Sequence, residues 1–123
     1  MRNEFFTKGF AAGAAITAQS IVKLGAADNT VILCTAAPAQ PIGISDALGA
    51  AAAGDIVDVI MYGIASLKIA GTITRGGAVM SNGSGLGIAH VVGATTPIVG
   101  IALDSGVTGD VISVQLAPTV TSA

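Results

Sequence analysis

The chain has 123 residues, 5 Lys and Arg against 7 Asp and Glu, a formal net charge of −2 and only 10% charged residues, where soluble domains average about 25%. Without a clustered basic face there is no electrostatic footprint for nucleic acid, and a single cysteine, Cys34, excludes an internal disulfide. The length suits one domain that buries roughly two thirds of its unfolded surface, and with so few charges its outside is either covered by Ser, Thr, Asn and glycine backbone or pressed against partners.

The chain opens on "MRNEFFTKGFAAGAAITA", which holds all three phenylalanines within its first ten residues, together with Arg2 and Lys8; the remainder has Tyr62 as its one aromatic residue. Glu4 and Lys8 interrupt the apolar run that a signal peptide needs. The steps of Gly and Ala after Phe10 lack helical periodicity. An extended N-terminal arm is therefore predicted over residues 1–13, ahead of a single β domain over residues 14–123. Aromatic and Arg side chains anchor interfaces, so Arg2, Phe5, Phe6, Lys8 and Phe10 are predicted to bind a partner. The competing reading folds the segment back onto the domain's own sheet.

Beyond the arm the chain repeats itself. "ITAQSIVKL" (16–24) aligns with "ITRGGAVMS" (73–81) and "IGIS" (42–45) with "VGIA" (99–102), both at an offset of 57 residues. After a two-residue deletion, "GDIVDV" (54–59) meets "GDVISV" (109–114). Three matches in one order indicate an internal duplication, with repeat units over about 16–60 and 73–116. Gly43 is paired with Gly100, and Asp55 with Asp110. Each unit reads as short apolar strands separated by turns such as "GAADN" (25–29) and "SNGSG" (81–85), whose residues accept positive φ. The pattern predicts an all-β fold, a small β-sandwich or β-barrel. In "SDALGAAAAGD" (45–55), Gly49 and Gly54 bracket only four alanines, allowing at most a short helical turn near 46–53. The stretch "IMYGIASLKIAG" (60–71) reads as a further strand and a hairpin leading into the second copy.

The residues that carry chemistry do not gather. "GAAAAGD" has the glycine spacing of a phosphate loop, but Asp55 and Ile56 stand where Lys and Ser or Thr are required. His90 is the sole histidine, and neither Cys34 nor the six aspartates fall at metal-ligand spacing around it. Cys34, within the apolar run "VILC", reads as a buried thiol. A triad of Ser84, His90 and Asp104 lacks the elbow sequence that would expose the serine. The window from Gly76 to Leu103 has no charged residue, yet seven glycines and Pro97 break it up, and no run of eighteen apolar residues remains to span a membrane. The chain is thus expected to have no catalytic residue, metal or cofactor and to be no enzyme.

Taken in order, "ITAQSIVKLGAADNTVIL", "QPIGISDAL", "AAAGDIVDVIMYGIASLKIAGTITRGGAVMSN" and "IVGIALDSGVTGDVISVQLAP" resemble the capsid decoration, cement or head-stabilising proteins of tailed bacteriophages. The similarity runs from about residue 14 to residue 117; the first thirteen residues match no family phrase. The resemblance implies a compact β-barrel or sandwich on the outer surface of the virion capsid, made in the host cytoplasm. It further implies a homotrimer that binds the major capsid protein and reinforces joints between capsomers, with no enzymatic activity and no cofactor. A subunit of another self-assembling structure fits the composition almost as well. A carbohydrate-binding surface module fits less well, since it would display Trp or Tyr platforms and the chain has no Trp and one Tyr.

Overall fold

A computed structural model describes residues 6–34, 40–46, 49–82, 84–90 and 97–116, with Phe6 described by its backbone alone. These residues hold nine strands and no helix: β1 (Phe6–Ala12), β2 (Ile21–Leu24), β3 (Thr30–Leu33), β4 (Pro41–Ser45), β5 (Ile56–Lys68), β6 (Ala78–Ser81), β7 (Gly87–Ala89), β8 (Gly100–Ala102) and β9 (Val111–Leu116). The first five close on themselves in the order β1-β3-β2-β4-β5, with β5 pairing back onto β1. Closure removes the unpaired edges that an open sheet of this size would expose. The others continue from the far half of β5 as β5-β9-β8-β6-β7.

The duplication is written into the hydrogen bonds. Ile16 and Ala50 form an isolated antiparallel bridge, as do Ile73 and Gly106. Gly54 and Gly109 both have φ of 93°, and their N–H groups donate to Ala12 O at 2.8 Å and Ile69 O at 2.9 Å. The next residue closes the turn in both copies: Asp55 Oδ2 accepts from Ala52 N at 3.1 Å, and Asp110 Oδ2 from Val107 N at 2.9 Å. Gly43 pairs with Val22 and Gly100 with Val79, so the predicted equivalences of Gly43 with Gly100 and of Asp55 with Asp110 are observed. Around 46–53 the described residues form bends and a hydrogen-bonded turn.

Two expectations need correction. Residues 60–71 are not a strand plus a hairpin, because β5 runs unbroken for 13 residues and serves both copies. Its first half closes barrel one. Its second half does for copy two what β1 does for copy one: Phe10 pairs with Val57 and Leu67 with Ile112, Lys8 with Val59 and Ala65 with Val114. The repeat units therefore begin at β1 and at the middle of β5, earlier than residues 16 and 73. It follows that residues 6–12 are not a free arm. They form a strand built into the barrel, antiparallel to β5 and, at Ala11 and Ala12, parallel to β3.

The interiors follow the same plan. Barrel one packs Phe10, Ala12, Ile16, Val22, Val31, Ala50, Val57 and Val59. The second cluster holds Leu67, Ile69, Ile73, Val79, Ile112 and Val114 in corresponding places, and also takes in Ile21, Cys34 and Ile44 from copy one. The intrusion has a backbone cause. In copy one Ala11 N donates directly to Asn29 O at 2.9 Å. At the corresponding seam of copy two, Lys68 N donates to Gln19 O at 2.9 Å and Gly85 O accepts from Ile21 N at 2.6 Å. The segment Gln19–Ile21 is wedged into that seam and delivers Ile21 to the second core.

Candidate functional site

Of the predicted partner-binding residues, Arg2 and Phe5 lie outside the described residues, and Phe6 is placed only as the first residue of β1, opposite Tyr62. Lys8 is exposed; its Nζ donates to Asn29 Oδ1 at 2.7 Å and lies 4.5 Å from the Phe10 ring centroid. Phe10 is 5% exposed and belongs to the barrel's own core, which corrects its assignment as a partner contact. Packing explains why a ring is needed there. Ala12 and Val57 leave space that Ile69 and Ile112 fill in copy two, and Phe10 in place of Leu67 takes up that volume.

The residues considered for chemistry hold structural positions. Cys34 is buried, its N–H donates to Ile21 O at 2.9 Å, and its carbonyl accepts from Ser81 Oγ at 2.8 Å across the seam. Burial pushes the Cys34 thiol up, opposed by a hydrogen bond from the Ser81 side chain and the charge of Lys23; a thiol so shifted is a poor nucleophile. His90 follows β7, half-buried, with its N–H donating to Ala78 O at 2.9 Å. Ser84 N donates to Asn82 Oδ1 at 2.9 Å, and Asp104 Oδ2 accepts from Ser113 N at 3.2 Å. Among the described residues no group of three His, Cys, Asp or Glu is arranged to hold a metal ion.

A crevice of about 160 Å³ opens beside the seam, lined by Gln19, Ser45, Asp46, Ile60 and Ser66. Ser45 and Asp46 in its polar wall are bonded within the fold. Ser45 Oγ accepts from Ser20 N at 3.0 Å and donates to Thr17 O at 2.8 Å, while Ser20 Oγ pairs with Thr17 Oγ1 at 2.7 Å and Asp46 Oδ1 accepts from Gly49 N at 3.2 Å. These bonds hold the wedge in place.

The sequence reading missed the outer face of β5, β9 and β8. Ile64 pairs with Gln115, and Gln115 with Ile101, so the three stand in one row across three strands, with Tyr62 two residues along β5. Tyr62, Ile64 and Ile101 are 68%, 43% and 36% exposed. The alternation of "MYGIASLK" carries the signal, since Tyr62, Ile64, Ser66 and Lys68 fall on one side of the strand. An apolar residue in a sequence does not say which side is covered.

No family model matches the chain, and no curated protein matches it in sequence. Its fold is similar to a solved structure, the head fiber gp8.5 N base of bacteriophage phi29, with a TM-score of 0.67 and 14% sequence identity over 93% of this chain and 95% of that one. The likeness spans nearly the whole chain and bears out the all-β barrel architecture.

Proposed function

We propose that this chain is a structural subunit of a tailed-phage head, a decoration or cement protein that binds the outer surface of the major capsid protein lattice and stabilises it without catalysis. The observation that carries this reading is the likeness, over nearly the whole chain, to the base of a phage head fiber; it agrees with the independent resemblance of the sequence phrases to head decoration proteins. The physical character of the chain supports it. A chain with only 10% charged residues and 17 glycines suits a crowded lattice, where many copies at high effective concentration make modest contacts sufficient. With Phe10 committed to the core, attachment falls to the barrel surfaces and to Arg2 and Phe5.

The test is to mix purified chain with undecorated shells and measure occupancy and shell melting. Saturating occupancy with a raised melting temperature is expected, and removing residues 2–5, which leaves β1 whole, should weaken attachment at least tenfold. Failure to bind any shell overturns the reading. The neighbour's own description favours a second reading, the base of a fiber; binding at a few sites per head rather than across the lattice would select it.

A further inference from the structure

We infer that the crevice beside the seam is a binding site for an alkylammonium group, the head of a lysine side chain presented by a partner protein. The duplication shows which of its groups the fold does not need. At the offset of 57 residues, Gln19, Ser20, Ser45 and Asp46 correspond to Gly76, Gly77, Ala102 and Leu103. The backbone agrees, since Ser45 N donates to Ser20 O at 2.8 Å as Ala102 N does to Gly77 O at 2.9 Å. Copy two thus builds the same turn and strand with no polar side chain at these four places.

In copy one the two serines have a task inside the fold. Ser45 Oγ accepts from Ser20 N and donates to Thr17 O, and Ser20 Oγ pairs with Thr17 Oγ1. Gln19 is different. Its φ is 55°, where Gly76 has 89°, so a left-handed position that glycine fills in copy two carries a long side chain here, at a cost in backbone strain. The backbone bonds of Gln19, from its N–H to Asp46 O at 3.0 Å and from Lys68 N to its carbonyl at 2.9 Å, are open to any residue. Among the described residues its carboxamide takes no hydrogen bond, and neither does the Ser66 hydroxyl across the crevice. The strain is therefore borne for a side chain that the fold leaves unused.

The chemistry of the set selects the ligand. The Asp46 carboxylate has acceptor capacity beyond its bond from Gly49 N, and Gln19 Oε1 and Ser66 Oγ are two further acceptors. An ammonium brings three donors and no acceptor. Half-buried Ile60 suits the methylene stem behind such a head. Asp58, exposed two residues before Ile60 on the same side of β5, adds a second carboxylate; an anion would be repelled, and a neutral ligand would desolvate Asp46 without pairing it. The volume of about 160 Å³ falls below the roughly 300–1,000 Å³ of sites for drug-sized ligands. It admits one unbranched side chain, anchored by the body that carries it. The inference stands apart from the phage reading, because purified protein and a small amine test it.

The full chain is titrated with n-butylammonium, the lysine side chain without its backbone, and with n-butanol, its uncharged counterpart, while amide shifts are followed by NMR. Saturable shifts at residues 18–20, 45, 46 and 66 are expected with the amine, and binding at least tenfold weaker with the alcohol. Asp46→Asn, which keeps an acceptor for Gly49 N, should weaken amine binding at least tenfold, and Ser66→Ala about threefold. Gln19→Gly separates site from scaffold: it should weaken binding yet melt at or above the wild-type temperature, because the strain is relieved. A loss of stability in Gln19→Gly would show that Gln19 serves the fold and would overturn its place in the site. Absence of saturable shifts overturns the inference, and so does equal binding of n-butanol or binding that survives Asp46→Asn. Putrescine, which adds a second ammonium, should bind no better than n-butylammonium; a gain of tenfold or more makes a free polyamine the ligand, and the partner lysine is then wrong. It is equally wrong if n-butylammonium binds only after Lys68→Ala, since Lys68 then fills the crevice itself.

Discussion

Gly43 and Gly100 stand where a Cβ would run into backbone, the carbonyl oxygen of Ile60 in one copy and of Gln115 in the other, with Val59 and Val114 side chains close behind. Neither strand can retreat, because β4 and β8 are held on both edges. Gly43→Ala and Gly100→Ala should each cost about 1–3 kcal/mol by urea unfolding, and similar losses at the two sites would express their equivalence. Cys34 makes a different prediction. The folded chain holds the thiol proton more tightly than the unfolded chain, so stability is full below the ordinary thiol value of about 8.5 and falls as pH rises through it toward the raised folded value. The melting temperature of the wild type should drop above pH 9 more steeply than that of Cys34→Ala, and a thiol reagent should modify Cys34 only after denaturation. The paired glycines and turn aspartates were legible in the sequence because each meets a local need, a close approach or a turn closure, that names its residue type.

β1 and β5 mark where that legibility ends. The end of the first strand and the residues after it, "FAAGAAIT" (10–17), correspond to "LKIAGTIT" (67–74), and little beyond the final "IT" signals it, because a strand interior asks only for apolar residues whose volumes sum correctly across the barrel. A phenylalanine offset by Ala12 is invisible until the opposite wall is known. Phe10→Ala should therefore cost about 3–5 kcal/mol, read as a shift in the urea midpoint. Lys8→Ala, which removes an exposed hydrogen bond and ring contact, should cost less than about 1 kcal/mol. Deleting residues 6–12 should abolish cooperative folding, since it strips the strand that closes barrel one. Gly63, with a φ of 98°, is accommodated inside the continuous strand β5, at the point where the chain passes from one copy to the other.

At the scale of the whole molecule the two copies are not independent units. Ile21, Cys34 and Ile44 of copy one lie in the same cluster as Val99, Ile112 and Val114 of copy two, and a single strand belongs to both. Ile44→Ala and Ile112→Ala should each cost about 2–5 kcal/mol and should shift one common transition, with calorimetric and spectroscopic melting curves superimposing. Two separate transitions would mean that the seam contributes little and that barrel one stands alone. The duplication itself was readable from three matched phrases. The asymmetry between the copies was not, because it arises from the path of Gln19–Ile21 through a seam formed by residues far away in the chain.

β5 also fixes where the chain's outermost strands begin and end. Phe6 pairs with Tyr62 and Leu116 with the adjacent Gly63, so the first residue of β1 and the last of β9 lie within roughly 10 Å of one another, given the spacing between strands. The two ends of the described strands thus meet at one waist of the molecule. A short peptide linker across that waist would make the backbone circular without disturbing any strand, and cleaving the ring at the exposed turn between β2 and β3 would give a permuted chain with the same two barrels. The order in which the strands are read from N- to C-terminus is thus separable from the architecture they build.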